Sequence, residues 1–351
     1  MKLFLKNMIR CRKRILVLLA AALFVPGMTG CGFGRVECYQ RVDTAMGTVV
    51  KETVYVKKGE EDITGQIRDG IVELEEEILS RRIETAEVYE INCQAGEAQG
   101  IVVSEELWDI CAQIQEVSAT SGGALDITIG ETVRLWNIDS YAAGDKAQVV
   151  LPTTEQVEAS LKNTGYDKLH LEDGRIYLPQ GMQLDLGAVG KGIACDEVLA
   201  YLQSQPQVTG AVISVGGSIL TYGEKPDGTP WNVGIVDPRD TSSYIGGLSL
   251  NGQWCVSTSG DYERYVEVGG KRYHHIIDPA TGYPADAGLS SVTILSKDGA
   301  LSDALSTACF VLGYEKALPL LETYEAYAVF IDKQGTVVLS PGIETWFRAQ
   351  K

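Results

Sequence analysis

Residues Ala300–Gly313 read A-L-S-D-A-L-S-T-A-C-F-V-L-G, and this spacing of apolar residues predicts an amphipathic helix. Asp303 and Thr307 stand one helical turn apart, so their oxygen atoms leave the same side of the helix. Both fall away from the apolar stripe, which is formed by Leu301, Ala304, Leu305, Ala308 and Leu312. Paired hard oxygen donors suit Mg²⁺, although a helix with an ordinary solvated polar face would show the same spacing. Other segments must decide between these interpretations.

The segment Gln183–Ala194, Q-L-D-L-G-A-V-G-K-G-I-A, gives a second chemical signal. It places Asp185 at the end of a predicted strand, and a glycine-punctuated helix start with Lys191 follows. Free backbone N–H groups, the positive end of the helix dipole and an ammonium group would favour a phosphate there. The alternative is that the glycines serve helix packing and the lysine is exposed. Gly190 and Gly192 each disfavour a helix interior by ~1 kcal/mol, which indicates a close approach of another element.

Two of the three histidines stand together in K-R-Y-H-H-I-I-D-P-A-T-G-Y-P, residues 271–284. Strand alternation places His274 and His275 on opposite faces. One imidazole could therefore enter a pocket and carry a proton near neutral pH, while the other is structural or solvated.

Three further segments join tight turns to polar side chains, namely Met46-Gly47-Thr48, Gly123–Gly130 and Ser257–Arg264. Gly47 and Gly260 would let the chain approach a flat or phosphorylated ligand closely. Asp126 lies in a strand-like apolar run and would need a partner if it is buried. Each segment alone is equally compatible with ordinary turn chemistry.

The amino-terminal residues predict export. Basic side chains precede the apolar run Ile15–Val25, which is too short for a comfortable membrane span, and small residues precede Cys31 as in a bacterial lipobox. We therefore expect residues 1–30 to be a lipoprotein signal peptide, Cys31 to be the lipidation site and residues 31–38 to be a lipid-anchored tether. The expected location is the extracytoplasmic face of the cell membrane. An uncleaved amino-terminal anchor is the alternative.

Composition excludes one class of partner. The chain has a formal net charge of −17, and because its first 31 residues hold six basic and no acidic side chains, the remainder carries −23. No basic stripe is present for a phosphodiester backbone, so no nucleic-acid partner is expected. The cysteines after Cys31 lack CxxC spacing, which argues against a zinc site or a thiol redox motif. Residues 39–351 are long enough for one large domain.

The predicted helices and strands do not alternate regularly, so we expect an α+β fold rather than a doubly wound sheet. Helices are predicted at 64–79, where an acidic run should be solvated, after a Ser104 cap, from about Thr154 and at 187–203. Extended runs flank Gly47, and the second half is rich in predicted strands, at 211–215, 231–236, 247–250, 254–258, 262–268, 272–277, 290–296 and 327–339.

These motifs occur in the order found in the ApbE family. The chain resembles the FAD:protein FMN transferases of that family from about Tyr39 to Gly313, and many members are lipoproteins. The motifs that carry the resemblance are Met46-Gly47-Thr48, Gly123–Gly130, Asp185–Ala188 with Lys191-Gly192, Ser214–Gly217, Ser259-Gly260, His275–Pro279 with Thr281-Gly282, and Asp303 with Thr307. The resemblance implies mixed, largely antiparallel sheets with packed helices, an ApbE-type, T-fold-like architecture.

The resemblance also implies an activity. It is a Mg²⁺-dependent enzyme that cleaves FAD, attaches FMN by a phosphoester bond to a Thr or Ser of an acceptor protein, and releases AMP. The implied acceptors are membrane redox subunits or exported flavoproteins. The implied metal ligands are Asp303, Thr307 and the carbonyl of Ala188. The implied FAD contacts are Met46, Gly47, Ala124, Leu125, Asp126, Asp185, Lys191, Ser257, Ser259, Gly260 and His275.

By the same resemblance, His275 is the candidate for accepting the hydroxyl proton, and Asp303 and Lys191 complete the predicted catalytic set, with His274 structural. Three departures from the family pattern are Ser218 in place of asparagine, Glu131 in place of proline, and Arg82-Ile83 where an aromatic often faces the flavin. Two other functions stay open, a Mg²⁺-dependent FAD pyrophosphatase with water as acceptor and a non-catalytic, lipid-anchored FAD-binding protein.

Overall fold

A computed structural model describes residues 36–144 and 149–350. The predicted signal peptide, Cys31 and the first residues of the predicted tether lie outside the described residues. Val36–Cys38, which we assigned to the tether, already pair with Tyr55–Lys57 as the start of a strand. Within the described ranges, no helix combines the length and apolar character that crossing a membrane would require.

All strand pairings between the named strands are antiparallel, which agrees with the predicted α+β fold of largely antiparallel sheets. The strands are β1 (Val36–Ala45), β2 (Thr48–Lys57), β3 (Ile101–Val102), β4 (His170–Glu172), β5 (Arg175–Tyr177), β6 (Val208–Val215), β7 (Ser218–Gly223), β8 (Trp231–Asp237), β9 (Asp240–Leu250), β10 (Trp254–Gly260), β11 (Tyr265–Val268), β12 (Lys271–His274), β13 (Leu289–Ser296), β14 (Tyr327–Asp332), β15 (Val337–Leu339) and β16 (Phe347–Ala349). The α-helices are α1 (Thr64–Leu74), α2 (Glu87–Cys93), α3 (Glu105–Thr120), α4 (Gly130–Trp136), α5 (Ile138–Ala142), α6 (Thr154–Leu161), α7 (Gly190–Gln203), α8 (Gly299–Leu312) and α9 (Tyr314–Thr323).

The largest sheet has eight strands in the order β1-β2-β6-β7-β10-β13-β14-β15, and different layers cover its two faces. Neighbouring residues of β10 show this, because successive side chains of a strand leave opposite faces. Cys255 belongs to the core shared with α1, α7 and α8, whereas Val256 belongs to the core shared with a three-stranded sheet of order β16-β9-β8. The eight-stranded sheet is therefore the middle layer of the fold.

Helices α7 and α8 touch at their amino-terminal turns, as the glycines of the sequence predicted. A Cβ atom built on Gly192 would lie 2.1 Å from the carbonyl oxygen of Gly299, so only glycine fits. The carboxylate of Asp196 on α7 accepts hydrogen bonds of 2.7 Å from the N–H groups of Gly299 and Ala300, and Asp298 caps α8 through the N–H of Leu301. These contacts fix the start of α8 against α7.

Several sequence predictions are confirmed. Ser104 caps α3 through the N–H of Leu107, a helix begins at Thr154, and β11 and β12 pair as a hairpin. The helix predicted at 64–79 is present, but its last turn, Glu75–Leu79, is a π-helix. The six cysteines among the described residues are free.

Other predictions are wrong. Residues 124–129 form turns rather than a strand, because Asp126 bonds its carboxylate to nearby backbone and α4 begins at Gly130. Asp185 does not end a strand, since its neighbour Gln183 makes only an isolated bridge to Ile129. Leu301 and Leu312 at the two ends of α8 are partly exposed, while Asp303 is buried. Helix α8 lies between other elements along most of its length, so it has no simple solvated face.

Candidate active site

One cavity of about 520 Å³ brings together most of the side chains that the sequence singled out. That size is typical of small-molecule and cofactor sites. The predicted site residues that line it are Ala124, Leu125, Asp126, Asp185, Ala188, Lys191, Ser259, His275, Asp303 and Thr307. They come from turns, from α7 and α8, from β10 and from the end of β12, which the fold places around one opening.

Asp303 is the buried carboxylate of this cavity, with only 2% of its surface exposed. Its Oδ2 atom accepts a 3.0 Å hydrogen bond from the N–H of Gly192 and lies 3.5 Å from Nζ of Lys191. A carboxylate buried to this degree must be paired or hydrogen-bonded, and both conditions are met. The solvated-face interpretation of Asp303 is therefore wrong.

The carbonyl of Ala188 is left free by the same arrangement. In a regular helix start this carbonyl would accept from the N–H of Gly192, four residues on. Here that N–H donates to Asp303, and no residue among those described donates a hydrogen bond to the Ala188 carbonyl. Ala188 and Thr307 line the cavity together with Asp303.

This donor set fits a hard divalent cation. A carboxylate, a hydroxyl and a backbone carbonyl are ligands of the kind that Mg²⁺ takes, usually together with water and substrate phosphates. The set contains no cysteine or histidine, which are the usual zinc ligands.

Serine and threonine hydroxyls connect α8 to β10 beside the cavity. The Ser259 hydroxyl lies 2.7 Å from that of Ser306 and 3.4 Å from that of Thr307, so β10 positions the Thr307 side chain. Ser257 is fully buried and bonds to the hydroxyls of Ser218 and Ser302. Ser218, one of the predicted departures from the family pattern, thus bonds to β10 through the Ser257 hydroxyl.

Asp185 shapes the turn that carries Ala188. Its Oδ1 accepts a 2.8 Å hydrogen bond from the N–H of Gly187, and its Oδ2 forms a 2.7 Å ion pair with Arg81. Both side chains of the ion pair are largely buried. Sequence reasoning missed Arg81, because no local pattern connects it to a residue more than a hundred positions later.

His275 is held in one orientation and one tautomer. Its Nδ1 lies 3.2 Å from the backbone carbonyl of Arg264, which can only accept, so Nδ1 carries the hydrogen and Nε2 is the free acceptor. Burial lowers the pKa of His275 to about 4; the carboxylate of Asp139 opposes this shift, and Arg264 and Lys191 add to it. The imidazole is consequently neutral at pH 7.

His274 lies on the other side of the hairpin, as strand alternation predicted. Its Nε2 lies 3.0 Å from the carbonyl of Ala285, and the ring faces a second cavity formed around β12. Burial lowers its pKa to about 4 as well. The two neighbouring histidines thus line different cavities.

Asp139 joins the cavity from the first turn of α5 and was missed by the sequence analysis. It accepts from Arg264 at 3.3 Å and from Arg82 at 3.4 Å. Burial alone would raise its pKa, but Arg264, His275 and Arg82 together lower the pKa below its usual value. Arg82, noted in the sequence only as a departure, is one of these partners.

Asp126 is buried and has the partners that its burial demands. One oxygen accepts from the N–H and hydroxyl of Thr128, at 2.8 and 2.6 Å, and the other accepts from the N–H of Tyr166 at 2.8 Å. Burial raises its pKa in spite of these hydrogen bonds. Asp126 therefore holds its own loop in shape at the cavity wall. Glu131 at the start of α4 bonds to Asn163 instead of facing the cavity.

Four predicted FAD contacts do not line the cavity: Met46, Gly47, Ser257 and Gly260. Ser257 points into the core, and Met46 lies in the turn between β1 and β2 with its N–H bonded to Glu75 at 2.6 Å. In the acidic run that was predicted to be solvated, Glu76 and Glu77 are exposed, whereas Glu75 is partly buried and bonds to Met46.

Comparison with known proteins shows the family to which this chain belongs. A family model described as "ApbE family" matches residues 46–331. The chain belongs to the ApbE family. A FAD:protein FMN transferase of Treponema pallidum is 34% identical over 330 residues, which cover 88% of this chain and 89% of that protein. One from Klebsiella pneumoniae is 36% identical over 270 residues, covering 76% and 81% of the two chains.

Solved structures of the ApbE family share the fold. The ApbE protein of Thermotoga maritima superposes with a TM-score of 0.80 at 31% identity, covering 89% of this chain and all of its own. The flavin transferase ApbE of Vibrio cholerae gives a TM-score of 0.77 at 27% identity, covering 89% of this chain and 99% of its own. The α+β architecture of largely antiparallel sheets is thereby confirmed as that of the ApbE flavin transferases.

Proposed function

We propose that this chain is a Mg²⁺-dependent FAD:protein FMN transferase, lipid-anchored through Cys31 on the extracytoplasmic face of the cell membrane. Membership in the ApbE family and the names of its relatives support the transferase class and FAD as substrate. The lipid anchor rests on the amino-terminal sequence alone.

The proposal that the enzyme depends on Mg²⁺ rests on one arrangement of Gly192, Asp303 and Ala188. Because the N–H of Gly192 donates to Asp303, a buried carboxylate oxygen is anchored, and the Ala188 carbonyl on the same cavity accepts no hydrogen bond from the described residues. With the Thr307 hydroxyl, these groups would hold Mg²⁺. The ion would offset negative charge on the pyrophosphate, which is the main demand of phosphoryl transfer.

The surrounding residues bind and orient the substrate. Lys191 places a second positive charge at the start of α7. The free N–H groups predicted there are largely used within the protein, because Gly190 donates to the Leu186 carbonyl and Gly192 donates to Asp303. Asp185, held by Arg81, fixes the turn that approaches the nucleotide, and Asp126 with Ala124 and Leu125 shapes the wall on the α4 side. Lys191 and the proposed Mg²⁺ ion would offset the unfavourable field of an acidic protein at the phosphates.

The transfer step has one proton to remove. The hydroxyl oxygen of the acceptor forms a bond to the phosphorus of the FMN half, the bond between that phosphorus and the bridging oxygen breaks, and AMP leaves with that oxygen. Nε2 of His275 accepts the hydroxyl proton, because Nδ1 is already bonded to the Arg264 carbonyl and the ring is neutral. The products are the FMN phosphoester of the acceptor and AMP.

The test is a transfer assay on the full chain. Protein, FAD, Mg²⁺ and an acceptor protein of the Vibrio cholerae relative are mixed, and flavin fluorescence is followed on the acceptor after denaturation. In parallel, mass spectrometry of acceptors co-expressed with this chain identifies a hydroxyl residue that carries FMN. AMP release with no labelled acceptor in either experiment would favour the pyrophosphatase. FAD binding without AMP would favour a non-catalytic flavin carrier.

A further inference from the structure

One edge of strand β8 borders the active-site cavity, and no function has been assigned to it so far. Gly234 and Val236 of β8 line the cavity, and Gly217 and Ile219 of the β6–β7 hairpin line it as well. β8 is an outer strand of the sheet β16-β9-β8. The FAD and metal assignments use none of these residues.

Hydrogen bonds on the far side of the sheet show which backbone groups of β8 point outward. The N–H of Ser249 donates to Trp346, and the carbonyl of Ile245 accepts from Gln350, so these two residues of β9 face β16. Because alternate residues of a strand bond to opposite sides, Leu248 and Gly246 of β9 face β8.

The register then fixes the direction of the β8 groups. Leu248 is opposite Val233, and Gly246 is opposite Ile235, so Val233 and Ile235 exchange hydrogen bonds with β9. Asn232 and Gly234 lie between them and direct their N–H and C=O groups away from β9. We call the backbone of Asn232 and Gly234 the outer edge of β8.

This edge is open in the part of the chain that the structure describes. Neither residue makes a backbone hydrogen bond outside the β8–β9 pair, and both are exposed, whereas Val233 and Ile235 are buried in the core behind them. The absence of a side chain on Gly234 leaves room for the exposed ring of Tyr244, which lies over it. An unpaired edge of this kind is a template for another strand.

We propose that the acceptor polypeptide binds as an extended strand on the outer edge of β8, which delivers its hydroxyl residue into the cavity. This proposal rests on the proposed function, because that function requires a polypeptide as second substrate. The edge borders the same cavity that His275 and Asp303 line, so a chain paired with Gly234 would run along the wall of that cavity. Main-chain pairing supplies affinity, and contacts with Ile219 and Tyr244 supply side-chain selectivity.

The first experiment compares three variants of the full chain in the transfer assay. Asn232→Pro removes an outward N–H and is tolerated at a strand edge, while Asn232→Ala keeps that N–H. Ala349→Pro is the matched control on β16, where Phe347 and Ala349 point away from β9 by the same alternation. We expect Asn232→Pro alone to lower kcat/KM for the acceptor roughly tenfold, the loss expected for one or two hydrogen bonds.

The same variants are assayed for FAD affinity in the presence of Mg²⁺, which should be equal in all of them. Equal transfer by Asn232→Pro and Asn232→Ala would overturn the strand-pairing proposal while leaving the transferase intact. If the unaltered chain itself did not bind FAD, that result would instead count against the proposed function.

The second experiment uses the unaltered chain and does not depend on the folding of a variant. Residue-resolved hydrogen exchange is measured in the absence and in the presence of an acceptor protein. This acceptor is one that received FMN in the transfer assay, and it is added here in its unmodified form. We expect the amides of Asn232 and Gly234 to exchange fast in the free protein and slowly in the complex, while those of Val233 and Ile235 are protected in both. Unchanged exchange at Asn232 and Gly234 with saturating acceptor would overturn the proposal.

Discussion

The N–H of Gly192 donates a 3.0 Å hydrogen bond to Oδ2 of Asp303, which joins two residues that are 111 positions apart. The bond depends on the close contact between α7 and α8, where a Cβ atom on Gly192 would lie 2.1 Å from the Gly299 carbonyl and 2.8 Å from Cβ of Asp303. One backbone contact thus controls both the packing of two helices and the position of the buried carboxylate.

We expect Gly192→Ala to destabilise the protein by about 1–3 kcal/mol or more, because the added methyl group meets rigid backbone. Gly65→Ala in α1 is the matched control, since its Cβ would approach only Arg41, at 4.0 Å, and alanine favours a helix by up to ~1 kcal/mol. Thermal unfolding of both variants is the measurement. A Gly192→Ala variant as stable as Gly65→Ala would contradict the packing argument.

Asp303→Asn should lower FMN transfer by roughly 10³-fold or more while leaving the fold intact. The amide keeps the shape and an oxygen that can accept from Gly192, but it removes the negative charge that would hold Mg²⁺. The measurements are the transfer rate as a function of Mg²⁺ concentration and the melting temperature. Asp298→Asn, at the cap of the same helix, is the control and should retain transfer. Normal Mg²⁺-dependent turnover by Asp303→Asn would remove the metal assignment.

His275→Ala should slow transfer by about 10² to 10⁴, and His274→Ala should slow it much less. Because the pKa of His275 is about 4 in the fold, against an ordinary value of 6.5, a base with this pKa stays active as the pH falls through 6.5. We expect the acid limb of kcat/KM to lie near pH 4 and to disappear in His275→Ala. An acid limb near pH 6.5, or equal rates for the two variants, would reject the assignment of the base.

Glu52 on β2 is buried, and neither of its carboxylate oxygens has a hydrogen-bond partner among the described residues. Burial raises its pKa from 4.5 to about 8, although Arg41 and Arg68 oppose the shift. A group whose pKa is raised by folding favours the fold below its unfolded pKa, and this contribution is lost as the pH rises through the folded pKa.

Glu52→Gln cannot ionise, so its stability relative to the unaltered chain should increase between pH 5 and pH 9, by an amount on the order of a few kcal/mol. Melting temperatures across this range test the slope. A pH-independent difference for Glu52→Gln would show that this carboxyl does not titrate as described.

Much of the site was predictable because its signals are local. The i, i+4 spacing of Asp303 and Thr307, the glycines around Lys191 and the alternation of His274 and His275 each follow from helix or strand geometry within a few residues. The failures were local as well. Asp126 lies in an apolar run that resembles a strand, but its carboxylate bonds to Thr128 and Tyr166 and forms a turn.

The sequence by itself determined the family, the α+β class, helix α8 and the residue types around the cavity, because periodicity and motif order are properties of the chain. Only the tertiary structure decided that Arg81 pairs with Asp185, that Asp139 accepts from Arg264, and that no described residue donates to the Ala188 carbonyl. Such contacts join segments more than a hundred residues apart. Their energies depend on burial and on the layers that bring the segments together, and no local pattern encodes either.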